Sequence, residues 1–472
     1  MLRLALDSED CNSANIALRS GAKATDVRSL LDASEYCGPS MIQSLLAQGM
    51  SVSSHSWIGE TALMTAAQYG RADNVSLLLN AGANVNTKDN GGCTALIRAA
   101  QSGSAETVAD LLDHSAEVNL KDVSGRTALI YAAAVGSAES VRLLLAYGAR
   151  PNIKDKKGMT ALMWAARMGR TTALSVLLWK GAEVNAQDEK GLTALMWAAR
   201  GKDAPFAPGT INQTQGSPGC VRLLLVHRAA VSTLDHADMT ALMYASYNSS
   251  TKSARLLIAG GAKVNTPNIQ RSLPQGAITM QKQLKVSQTG NFPGSLGQMQ
   301  QSPVVFPGRY GFDIRNMPPL TIAASTGNFS MVSMFLAHGA YVHADHDAAL
   351  VAASEAGSVP IVRLFLQDKA DINAKDEYGT PALVMAMQDG HIPVARLLLQ
   401  HKADINSTDR YGTTALMYAA INGNAPVVRF LMEQGAKTSL KDQDGNTALT
   451  LTHSAGVAAL LRKQLVQIDR PH

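Results

Sequence analysis

Five side chains of metal-ligand type, His338, His343, Asp345, His346 and Asp347, crowd into ten residues. Imidazole and carboxylate are ligand types for zinc or copper. A short polar stretch at a junction between structural units is also an ordinary tight turn, and no metal or other cofactor is expected here. Elsewhere the signatures of catalysis are missing: no G-x-x-x-x-G-K-[ST], G-x-G-x-x-G, G-x-S-x-G or H-E-x-x-H occurs. No phosphate cradle, nucleophile elbow or zinc-protease pair is therefore expected. Cys11, Cys37, Cys93 and Cys220 form no C-x-x-C pair. Neither zinc nor a disulfide framework is implied, and a reducing compartment is the default. A different set remains. Tyr131, Trp164, Trp197 and Tyr244 recur at one register, Arg167 and Arg200 follow the tryptophans by three residues, and Arg126, Lys156, Lys157 and Lys190 fall in polar segments nearby. Aromatic faces beside cations suit an acidic, partly apolar protein or peptide. The competing reading is that the rings brace neighbouring segments of this chain.

That register belongs to a period running through most of the chain. Leucines stand at 30, 63, 96, 129, 162 and 195, and again at 350, 383, 416 and 449, each 33 residues after the last. Most sit in the phrase Thr-Ala-Leu-Met or Thr-Ala-Leu-Ile, as in Thr94-Ala95-Leu96-Ile97. A 33-residue period means a stack of small units. The stretch from Asp89 to Asn119 shows how one unit should fold. Thr94 can cap a helix by accepting a first-turn N–H. Leu96, Ala99 and Ala100 share one face of that helix, and Gly103 can end it with positive φ. A second helix is predicted through Val108, Leu111 and Leu112. The turn-rich Lys121-Asp122-Val123-Ser124-Gly125 then leads to the next Thr127.

The unit resembles the ankyrin repeat, with D-x-x-G-x-T-x-L, A-A, G, V-x-x-L-L and G-A carried here by Asp122, Gly125, Thr127, Leu129, Ala132, Ala133, Gly136, Val141, Leu144, Leu145, Gly148 and Ala149. Two departures recur: the family's Pro is Ala in most repeats, and its His is Met or Ile, as at Met64, Ile97, Met163 and Met417. In the family that His ties helix to loop, so its loss implies less rigid loops. The resemblance implies an all-α solenoid of about 12–13 helix-turn-helix units with projecting hairpin loops. It also implies that the first-helix faces and loop tips line a concave groove used for recognition.

The period breaks at definable places. From Leu195 to Leu242 there are 14 surplus residues, an insertion near 203–217 between the two helices of one unit. From Leu242 to Leu320 there are 45, rich in Gln, Ser, Gly and Pro, with net charge +4 and the apolar residues Phe292, Phe306, Tyr310 and Phe312. A flexible tether, a loop folded over the repeats and a binding arm all fit that composition. The expected organisation is therefore an N-terminal array over 1–266, an insertion over 267–317 and a C-terminal array over 318–472.

Composition narrows the function classes. The 472 residues are 46% hydrophobic but only 5% aromatic, as suits closely packed helices built from Ala, Leu and Val, and a net charge of +5 is mild for a nucleic-acid binder. Hairpin acids such as Asp89, Asp122, Asp155 and Asp188 also count against nucleic acid. No apolar run of spanning length occurs. Met1–Asp7 is too short and too soon charged for a signal peptide, which leaves the compartment and any upstream leader open. The expectation is a non-catalytic protein-interaction scaffold whose contact is centred on Tyr131, Trp164, Arg167, Trp197, Arg200, Tyr244, Lys156, Lys157 and Lys190. The alternative is an accessory or inhibitory subunit acting on a partner enzyme through 267–317.

Overall fold

The computed structural model describes residues 10–20, 22–23, 26–201, 216–265, 317–342, 348–376 and 379–468. Among them every regular element is a helix, and twelve helix pairs follow a single leading helix, Cys11–Arg19. The pairs run from Val27–Tyr36 with Pro39–Ala47 to Ala448–Leu451 with Ala455–Ile468, so the chain is an all-α repeat stack. It packs as two compact units. Of the described residues, the first contains those up to 201 with 216–244 and 259–261; the second contains 245–258 and those from 262 onward.

One repeat shows why this sequence gives this element. Thr94 caps the Ala95–Ser102 helix by accepting the Ile97 N–H at 3.3 Å. Gly103 ends it at φ +79°, in the left-handed region. Ser104 then caps Ala105–Asp113 through the Thr107 N–H. Leu96, Ile97, Ala99 and Ala100 of the first helix and Val108, Leu111 and Leu112 of the second are at most 3% exposed. Burying each leucine contributes about 1.5–3 kcal/mol, and the alanines let the next repeat's helix approach closely.

Neighbouring hairpins are stitched together by regular bonds. In the first unit the N–H groups of Asn90, Val123, Lys156, Glu189 and His236 donate to the carbonyls of Ile58, Gly91, Ser124, Lys157 and Lys190 at 2.9–3.1 Å. At Gly158, φ +75°, a Cβ would lie 2.7 Å from the Glu189 nitrogen, so this contact requires glycine. A second row uses asparagine: Asn86, Asn119 and Asn152 accept the N–H groups of Glu117, Arg150 and Glu183 at 2.8–3.0 Å.

Most of the two insertions lies outside the described residues, but their ends are informative. Ser217 N–H donates to Ala198 O at 2.8 Å, the turn bond that Arg170 N–H makes to Ala165 O in the preceding repeat. The surplus near 203–217 therefore hangs from a turn that keeps its ordinary bond. Within the second unit, Asn265 accepts the Tyr341 N–H at 3.0 Å and donates to Gly339 O at 2.8 Å. Asn119 makes the same two bonds to Arg150 and Gly148. The repeats flanking the 45-residue surplus are thus bonded as immediate neighbours.

One expectation needs correction. The cysteine spacing implies no disulfide framework, whereas Cys11 and Cys37 are disulfide-bonded; Cys93 and Cys220 are free and buried. The bond joins the leading helix to the C-cap of Val27–Tyr36. That terminal region departs from the repeat pattern, so repeat spacing gives no hint of the pairing. Cys37 is 5% exposed, and its carbonyl accepts from Asn74 Nδ2 at 2.8 Å.

Candidate partner-binding surface

The hairpin aspartates organise this surface. In each ladder repeat Oδ1 of the aspartate accepts two N–H groups of its own loop: Asp122 from Ser124 and Arg126, Asp155 from Lys157 and Met159, and Asp188 from Lys190 and Leu192, all at 2.8–3.0 Å. Oδ2 then accepts from the ring two residues after the anchor leucine. Tyr131 Oη donates to Asp122 at 2.7 Å, Trp164 Nε1 to Asp155 at 3.0 Å, Trp197 Nε1 to Asp188 at 3.0 Å and Tyr244 Oη to Asp235 at 2.6 Å. Arg98 fills the same position one repeat earlier, donating to Asp89 at 2.6 Å. Buried carboxylates need such donors, because stripping water from an unpaired charge is costly.

These bonds replace the helix-to-loop tie that the resemblance gave to a histidine. Where a ring or Arg98 supplies the donor, helix and hairpin are joined without that histidine. The methionine in the histidine's place has a smaller role: Thr160 N–H and Thr193 N–H reach the sulfurs of Met163 and Met196 at 3.5 Å. Burial raises the pKa of both phenols, and the neighbouring aspartates raise it further, so Tyr131 and Tyr244 remain neutral donors.

Between successive rings lies a guanidinium. Arg126 stands 5.7 Å from the Tyr131 ring centre and 4.5 Å from that of Trp164. Arg167 stands 5.1 Å from Trp164 and 5.0 Å from Trp197; Arg200 stands 5.3 Å from Trp197 and 5.6 Å from Tyr244. The result is an alternating ladder, Tyr131, Arg126, Trp164, Arg167, Trp197, Arg200, Tyr244. Each cation–π contact is worth about 0.5–2 kcal/mol depending on desolvation. Arg126 enters from the hairpin, whereas Arg167 and Arg200 come from first-helix ends. Arg126 also pairs with Asp155 at 3.6 Å.

The structure thus brings together all four predicted rings and both predicted arginines, and adds Arg126 as a ladder member. Trp197 and Tyr244 are only 6% and 5% exposed, while Tyr131, Trp164, Arg167 and Arg200 are half-buried. Lys156, Lys157 and Lys190 are exposed at the hairpin tips. Of the hairpin acids that counted against nucleic acid, Asp89, Asp122, Asp155 and Asp188 are turned inward, at most 9% exposed, whereas Glu189 is exposed. Sequence reading missed their bonds to the rings, although a constant nine-residue spacing from aspartate to ring was available.

The histidine–aspartate cluster contributes little. His343, Asp345, His346 and Asp347 lie outside the described residues, and His338 Nδ1 is 2.8 Å from Met334 O. Among the described residues no group of three His, Cys, Asp or Glu side chains is placed to hold a metal, and no helix is long and apolar enough to cross a membrane.

A family model described as ankyrin repeats, in three copies, matches residues 30–122, 117–188, 171–268, 304–376 and 373–442. No curated protein matches. Among solved structures, the crystal structure of the human ASB11 ankyrin repeat domain is similar at 26% sequence identity, covering 49% of this chain and 96% of its own, with a TM-score of 0.43. Matched over most of its length by the family model, this chain belongs to the ankyrin repeat family.

Proposed function

We propose that this protein is a non-catalytic scaffold whose ladder surface holds an acidic protein or peptide. Ankyrin repeats are in general protein-interaction modules, which is the coarse part of this reading. The finer part rests on one observation. The hairpin aspartates are bonded internally, so at the tips Lys156, Lys157 and Lys190 outnumber the exposed Glu189, beside the half-exposed edge of Arg167 and Arg200. Guanidiniums held between rings lose little entropy on meeting a carboxylate. Trp197 and Tyr244 serve this surface as its frame, since buried rings have little area left to offer.

The test is charge reversal at exposed positions that support nothing else. Lys156→Glu, Lys157→Glu and Lys190→Glu combined should abolish salt-sensitive retention of acidic proteins on the immobilised chain while leaving thermal unfolding unchanged. Undiminished retention would remove the ladder surface as the contact. A double change of Trp164 and Trp197 to alanine is the poorer test, because Trp197 is buried and its loss would also lower stability.

A further inference from the structure

The opposite side of the first unit carries a second feature. Trp179 ends the outer helix Thr171–Trp179 and is 79% exposed. In the next repeat the equivalent residue, Val226, ends Pro218–Val226 and is 72% exposed. The equivalent positions in the preceding repeats are Asn80, Asp113 and Ala146, so the apolar pair is peculiar to these two repeats and not part of the period. Beside Trp179 runs a shallow trough of about 460 Å³ lined by Arg142, Ser175, Val176, Trp179, Lys180 and His227. Lys180 Nζ lies 4.9 Å from the Trp179 ring centre.

The charges around the trough point one way. None of its six lining residues is acidic. Glu139, the carboxylate beside Arg142, is already paired with it. We propose that this outer face docks an acidic amphipathic segment of a partner protein. An apolar side chain of that segment lies against Trp179 and Val226, and its carboxylates meet Lys180. A large indole left in water beside cations is the pattern of a binding anchor, not of packing. The surface is separate from the ladder, so one bound chain could engage both faces or two chains one face each.

The test uses Trp179 as its own reporter in the full chain. Trp57→Phe removes the other strongly exposed indole, which is 92% exposed. Iodide quenching is then measured with two helical peptides, one with a leucine face and a glutamate face, the other with every glutamate replaced by lysine. The glutamate peptide should shield Trp179 and the lysine peptide should not. Lys180→Glu should weaken glutamate-peptide binding by about tenfold. Followed by fluorescence anisotropy of the labelled glutamate peptide, Trp179→Ala, at a position too exposed to affect folding, should abolish binding, whereas Lys156→Glu with Lys157→Glu should leave it intact. Equal shielding by both peptides, or unchanged affinity after Trp179→Ala, would overturn the proposal. So would shielding that rises with protein concentration alone, since the occupant would then be a second copy of this chain.

Discussion

Two sets of repeats treat the same register position in opposite ways. Five residues after the anchor leucine stand Arg167 and Arg200 in the ladder, but Glu355 in the repeat anchored by Leu350. Two residues after the leucine stand Trp164 and Trp197 in the ladder, but Ala352 and Met385 in the repeats anchored by Leu350 and Leu383, where neither side chain can donate a hydrogen bond. In the ladder, rings donate to the hairpin carboxylates and cations stack between the rings. Around Glu355 the balance differs: burial pushes its carboxyl up to about 7, with Asp389 and Asp376 adding repulsion. His391 meets the Glu355 backbone carbonyl at 2.9 Å through Nε2. Tyr418 then restores the ladder pattern, donating to Asp409 at 2.7 Å. One backbone frame therefore accommodates buried acid either by supplying donors and cations or by letting a carboxyl keep its proton.

The largest expected effect is on the ladder side. Trp197→Ala should lower unfolding free energy by about 3–5 kcal/mol, from the lost ring and the donor withdrawn from Asp188. Urea denaturation should show it, and a loss below about 1 kcal/mol would reduce the ladder to ornament.

Next in size is the pH response around Glu355. Its folded pKa, about 7, lies above the unfolded model value of 4.5, so the folded state binds the proton more tightly. Stability from this group is fully present below about pH 4.5 and is lost as pH rises to about 7, on the order of 1–2 kcal/mol after allowing for partial solvent contact. Glu355→Gln should flatten that slope and stabilise the protein at pH 8. A slope unchanged in this variant would assign the effect elsewhere.

The smallest effect separates stacking from charge. Arg167→Lys keeps the cation but loses the planar group between Trp164 and Trp197, and should cost about 0.5–1 kcal/mol in thermal unfolding. A neutral result would mean that charge alone matters at this rung.

Much of this was legible in the sequence because it repeats. Caps such as Thr94 and stops such as Gly103 act locally, and the leucine period reports burial directly. The ring positions were legible too, but their role was not. Trp164 meets Asp155 only because the hairpin folds back over the helix, and Trp197 is buried only because neighbouring residues close over it. Arg126 was hardest to place, since it reaches a rung from a different register than Arg167. The Cys11–Cys37 pairing had no repeat to announce it, lying where the pattern begins.

The bond between Asn265 and Tyr341 carries a consequence for how the chain tolerates added length. In a regular repeat the same bond joins residues 31 apart, as in Asn119 and Arg150, whereas here the separation is 76. Loop-closure entropy grows only with the logarithm of length, so closing the longer stretch from the unfolded chain costs about 0.8 kcal/mol more. One good hydrogen bond offsets that difference. A stack of this kind can therefore acquire long extra segments between its repeats almost for free, and each becomes raw material on which selection can act without first having to rescue the fold.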